Sequence, residues 1–74
     1  MKIIFTQHAL EKLAERALSK EMVRRTVDAP IRLIAVAEKF HAFGKFGKRY
    51  LKVIFVRTDD SLVIITQHFV DSPV

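Results

Sequence analysis

The chain contains no cysteine, which excludes disulfides, a thiolate nucleophile and a cysteine-ligated zinc site. Three scattered histidines, His8, His41 and His68, are too few and too far apart in sequence to announce a metal, and no metal or other cofactor is expected. No apolar run approaches the roughly 18–20 residues needed to span a bilayer, and Met1 to Phe5 passes at once into polar Thr6-Gln7-His8. A soluble, cytoplasmic protein that does not engage a membrane is the expectation. Linkers, low-complexity tracts and repeats are missing too, so residues 1–74 read as one domain. The triplet Thr-Gln-His occurs twice, at 6–8 and 66–68, in unlike surroundings, and reads as coincidence.

Acidic residues are scarce. Eight Asp and Glu against thirteen Lys and Arg leave a net charge of +5, which favours a polyanionic partner such as nucleic acid, or an acidic protein covering the same surface. The cations concentrate between Lys39 and Lys52, where Lys39, Lys45, Lys48, Arg49 and Lys52 are interleaved with Phe40, Phe43, Phe46 and Tyr50. Basic side chains alternating with aromatic ones suit a phosphate backbone with stacked bases. The competing reading is ordinary strand patterning, aromatics inward and lysines outward.

What is plentiful is apolar: half of the residues are hydrophobic, and six are Phe. A chain this short still buries only about 60% of its unfolded surface, so its core has little to spare. Two runs rich in β-branched and aromatic residues, Tyr50 to Val56 and Leu62 to Ile65, flank polar Thr58-Asp59-Asp60-Ser61 and predict a β-hairpin. Strand alternation then sends Thr66 and His68 to one side at its far end, and Gln67 and Phe69 to the other.

Upstream, Met1 to Phe5 is β-prone and predicts an edge strand, and Thr6 can cap a helix. Leu10, Leu13, Ala14, Ala17 and Leu18 form one apolar stripe at helical spacing, with His8, Lys12 and Glu15 opposite and Arg16 near the border. Ser19 reads as a second N-cap, Glu21 suits the first turn after it, and Ala29-Pro30 ends that helix. Ile31 to Val36 and Phe40 to Phe46 predict strands, with turns at Glu38-Lys39 and Gly47-Lys48; Gly44 within a strand signals a bulge or a close backbone approach. The order β-α-α-β-β-β-β describes an α+β two-layer domain. It has an antiparallel sheet of four to five strands in a meander, with an N-terminal helical hairpin on one face.

HALEKLAERALSKEMV, a proline-ended helix, FHAFGKFGKRYLKVIFV and SLVIITQHF together resemble a small prokaryotic domain-of-unknown-function family that opens on a His-Ala helix motif. That family is similar to the BrnT and RelE/ParE toxins of toxin–antitoxin pairs, which share a sheet-plus-helices scaffold with metal-independent ribonucleases. The resemblance covers roughly residues 5–70. His8, Ala9 and Arg16 match the helix motif, Gly44 and Arg49 the central hairpin, and Thr66 the hydroxyl residue ending the last long strand; His68 stands where related toxins carry a polar or basic residue. Lys12 departs from the usual Arg. Ala17 departs from the usual Gly between the helices and argues against a strained turn there.

Metal-free RNA cleavage needs a base for the ribose 2′-hydroxyl, an acid for the leaving oxygen and positive charge on the phosphate. His8, at the positive end of a helix dipole, is the expected base and His68 the expected acid; Arg16, Arg49 and Thr66 would hold the phosphate. Lys12, Lys45, Lys48 and Lys52 are the candidate RNA contacts. The expectation is a toxin-like ribonuclease held by an acidic antitoxin. Its rivals are a catalytically silent RNA- or protein-binding module, and a homodimer formed through the Met1 to Phe5 edge.

Overall fold

The computed structural model describes residues 1–73. Strand β1 (Lys2–Phe5) is followed by helices α1 (Gln7–Glu15) and α2 (Lys20–Asp28), then strands β2 (Arg32–Val36), β3 (Lys39–Phe46), β4 (Arg49–Arg57) and β5 (Ser61–Val70). The five strands form one sheet in the order β1-β5-β4-β3-β2, and both helices pack on one of its faces. The expected α+β layout is present, with the meander running β2 to β5. The sheet is mixed, because β1 pairs parallel with β5 while every other pair is antiparallel. The helical excursion between β1 and the meander allows that parallel pairing.

Both helix starts follow from their caps. Thr6 Oγ1 accepts from the Ala9 amide at 3.1 Å, and Ser19 Oγ accepts from the Met22 amide at 3.1 Å. Thr6 Oγ1 also donates to the Ile65 carbonyl at 3.3 Å, which ties the start of α1 to β5. That anchor sets the rotation of the helix. Ala9 and Leu13 are buried, while Leu10, Ala14 and Ala17 are exposed, so the apolar stripe expected from sequence is turned toward the Ala9 side. Arg16 continues the Ala9 and Leu13 row at helical spacing and so reaches the sheet.

The link between the helices overturns the expectation of an unstrained Ala17. Its φ is +52, the left-handed region, and the Leu18 amide bonds back to the Leu13 carbonyl at 3.0 Å. This is a Schellman-type C-cap with alanine where glycine is usual, closed by the buried contact of Leu18 with Leu13 in the core. The structure also moves one turn: β2 and β3 are joined at Ala37-Glu38, where Ala37 has φ +56, and Lys39 already belongs to β3. Gly47 at φ +65 opens the Gly47-Lys48 reversal as expected.

Ala9, Leu13, Leu18 and Val23 from the helices meet Ala42, Leu51, Val53, Phe55 and Ile64 from the sheet, and these form the core. Of the two roles offered for Gly44, the close approach is realised. A Cβ there would sit 2.6 Å from Thr26 Oγ1 on α2. The bulge lies instead on β5, where Ile54 pairs with Thr66 but Phe55 pairs with Ile64, leaving Ile65 as the extra residue. Strand β5 runs on to Val70, so Thr66 and His68 lie within the strand and not at its end.

Candidate phosphate-binding site

At the far end of β5 the sheet has a free edge, since β1 pairs only with Ser61 to Ile64. Arg16, the residue that ends α1, crosses to this edge and its Nη1 donates to the Gln67 carbonyl at 2.8 Å. Gln67 is fully buried and its Nε2 donates to the Ala9 carbonyl at 2.9 Å, so a single residue of β5 holds both ends of the α1 contact. Its Oε1 is buried without a partner. Next to it, Phe69 turns its ring under Arg49, whose guanidinium carbon stands 3.9 Å from the ring centroid.

These placements leave a cavity of about 280 Å³ walled by Arg16, Arg49, His68 and Phe69. Residues of three separate elements, Arg16, Arg49 and His68, thus line one space. Burial, then the Arg16 charge, then the Lys52 charge push the His68 pKa below its ordinary 6.5. At neutral pH His68 is therefore an uncharged imidazole, able to accept a proton. A larger hollow of about 340 Å³ between α2 and β3 has Arg25, Asp28 and Lys45 in its walls but no imidazole.

The remaining candidates are placed elsewhere. His8 is exposed in the first turn of α1, eight residues or about 12 Å of helical rise from Arg16, and does not line the cavity. Thr66 pairs with Ile54 on the sheet face that carries His68, one residue pair along, and is not a cavity wall either. Lys12 is engaged with Glu15 at 3.2 Å on the surface of α1. Lys48 is exposed in the β3–β4 turn, Lys45 lies over the Tyr50 ring at 5.8 Å, and Lys52 lies over the Phe43 ring at 5.9 Å.

Phe69, which walls the cavity beneath Arg49, and Gln67, which ties α1 to the strand beside it, carry no chemical signal in sequence. Their position opposite His68 on an alternating strand is the one cue that could have drawn attention to them. Among the described residues, no three His, Asp or Glu side chains gather into a metal-binding group, and no helix is long and apolar enough to cross a membrane.

A family model described as Domain of unknown function (DUF4258) matches residues 5–66. The chain belongs to that family. The DUF4258 match takes in Arg16, Arg49 and the scaffold from the end of β1 to Thr66, and stops just short of His68 and Phe69. No curated protein and no solved structure matches the chain.

Proposed function

We propose that this chain is a toxin-like, metal-independent ribonuclease, in which Arg16 and Arg49 bind a phosphate of RNA and His68 acts as the base. The observation that carries the reading is the convergence of Arg16, Arg49 and His68 on one cavity from α1, β4 and β5. A guanidinium pair can hold a phosphodiester through charge-assisted hydrogen bonds and stabilise the extra negative charge of its transition state. His68 takes the proton of the ribose 2′-hydroxyl, the 2′-oxygen attacks the adjacent phosphorus, and the bond to the 5′-oxygen breaks. That leaving oxygen takes a proton from water. The products are a 2′,3′-cyclic phosphate and a 5′-hydroxyl end.

The lowered pKa of His68 supports the base role in place of the acid role that its position in the sequence suggested. With His8 outside the cavity, no second imidazole faces the phosphate. An acidic antitoxin would neutralise the same basic groups, which is the partner this reading implies.

The test is incubation of purified protein with RNA in the presence of a chelator, with end-group analysis of the products. Cleavage to cyclic phosphate ends, lost in His68→Asn and in Arg49→Ala, is the expected result. Intact RNA, or cleavage indifferent to both substitutions, overturns it. A second reading, a binding module without catalysis, is favoured by the lone imidazole in the cavity; RNA retained but never cut, with affinity falling in Arg49→Ala, would establish it instead.

A further inference from the structure

Alternation along β3 and β4 assigns their side chains to the two faces of the sheet, with Phe43 buried on the face away from the helices. Leu51, Val53 and Phe55 of β4 and Ala42 of β3 point into the core under the helices. Their neighbours therefore face the other way: His41, Phe43 and Lys45 on β3, and Tyr50, Lys52 and Ile54 on β4. Cross-strand partners share a face, so the register continues the surface outward. Arg32 pairs with Phe43, Phe43 with Lys52, and Lys52 with His68. One row thus crosses four strands, about 14 Å at the usual strand spacing of about 4.8 Å.

The charge on this bare face is of one sign. Arg32, Lys39, Lys45 and Lys52 belong to it, whereas none of the eight Asp and Glu lies on any strand; all are in helices, in turns or after β5. The imidazoles report the same field. Burial lowers the pKa of His41, and Lys52 and Lys39 lower it further, as Lys52 does for His68. The row is also continuous with the cavity, because His68 closes the one and walls the other.

We infer that the bare face of the sheet is the track for single-stranded RNA, which crosses along Arg32, Lys52 and His68 and so delivers one phosphate to the Arg16–Arg49 cavity. This rests on the reading of RNA as the ligand of that cavity and adds the path and the strandedness. Tyr50 is half-buried with Lys45 over its ring, a position in which a base can replace the ammonium against the ring face. Stacking of this kind requires bases free of a duplex. A second copy of the chain would bring like charge against like, +5 against +5, and is disfavoured on this face. An acidic protein fits the charge but would have no reason to follow a row that ends at an imidazole.

The experiment is fluorescence anisotropy with a labelled 2′-O-methyl RNA 12-mer, which binds without being cut, titrated at several salt concentrations. Wild-type protein should bind the single strand in preference to the same sequence as a duplex. The pair Arg32→Ala with Lys52→Ala should lose at least tenfold in affinity and flatten the slope of log K against log salt by about 1.4, two phosphate contacts at about 0.7 each. Tyr50→Ala should weaken binding about tenfold with the slope unchanged, and Lys20→Ala with Arg24→Ala on the helical side should match wild type. Thermal midpoints of all variants confirm that they are folded, and Lys52→Gln serves if Lys52→Ala is not. Equal losses on both sides of the molecule, equal binding of duplex, no binding at low salt, or an unchanged Arg32/Lys52 variant would each overturn the track. Cleavage is read separately on unmodified RNA. Loss of binding in the track variants without any cleavage by wild type would keep the track and remove the nuclease, whereas cleavage with unaltered track variants would do the reverse.

Discussion

Arg16 and Gln67, fifty-one positions apart in the chain, are joined by a 2.8 Å hydrogen bond from the guanidinium to the backbone carbonyl. Arg16 therefore has two duties, one to the fold and one to the cavity. Its removal should cost about 1–2 kcal/mol, the usual scale for a part-buried hydrogen bond to a charged group. It should also raise the pKa of His68 toward 6.5, since the Arg16 charge is one of the causes holding it down. Denaturant titration reads the first effect for Arg16→Ala and an NMR titration of the His68 ring reads the second. An unmoved His68 would mean that the two groups do not share a space.

His41 and His68 both have lowered pKa values in the folded chain, so each binds its proton less readily there than when unfolded. Their contribution to stability is fully present above the unfolded value of about 6.5 and is lost as the pH falls through the lower folded values. The thermal midpoint should accordingly drop on acidification from pH 7 to pH 5. The drop should be smaller in His41→Asn and smaller again when His68→Asn is added. The same titration should give any RNA cleavage an acid limb below pH 6.5, because protonated His68 is no base. A cleavage rate that rises on acidification would assign His68 the acid role instead.

Ala17 holds a left-handed backbone at φ +52 in the link from α1 to α2. For a residue with a Cβ this conformation costs about 1–2 kcal/mol, partly offset by the smaller entropy loss of alanine relative to glycine. Ala17→Gly should thus stabilise the domain by about 0.5–1 kcal/mol, and on the order of 4–8 °C in midpoint per kcal/mol at this size. Calorimetry of the single variant decides it. A destabilised Ala17→Gly would mean that the link relaxes to negative φ in solution.

Much of this architecture was legible from local signals. The Thr6 and Ser19 caps, the Ala29-Pro30 stop and the turn at Gly47 depend on neighbours a few residues away, and each was realised. Two misses were local, the left-handed Ala17 and the turn expected at Glu38-Lys39; the others depended on distant contacts. The rotation of α1 is set by Thr6 and Gln67 binding across to β5 and from it, which no helical wheel of residues 7–18 contains. The candidate site divided in the same way. Arg16, Arg49 and His68 could be named as chemistry-bearing residues, but their convergence, and the separation of His8, follow from where α1 crosses the β5 edge. Phe69 supplies a wall through packing and Gln67 anchors α1 beside it, roles that residue type alone does not reveal.

Gly44 lets β3 approach Thr26 of α2 too closely for a side chain. Thr26 is buried, its hydroxyl donates to the Met22 carbonyl at 2.8 Å, and a methyl group at Gly44 would lie 2.6 Å from that oxygen. Either α2 lifts from β3 or the Thr26 side chain must turn, and turning it strands a buried hydroxyl. Gly44→Ala should cost about 1–3 kcal/mol, the range for overpacking a core. Thr26→Ala removes the obstructing oxygen, so the double variant should be more stable than the sum of the two single costs, a coupling that denaturant unfolding of the four proteins measures directly. Thr26→Ser keeps the oxygen and should give no such relief. Strict additivity in the Gly44/Thr26 cycle would mean that α2 sits farther from β3 than the 2.6 Å approach requires, and that the hollow beside Arg25 and Phe46 is wider in solution.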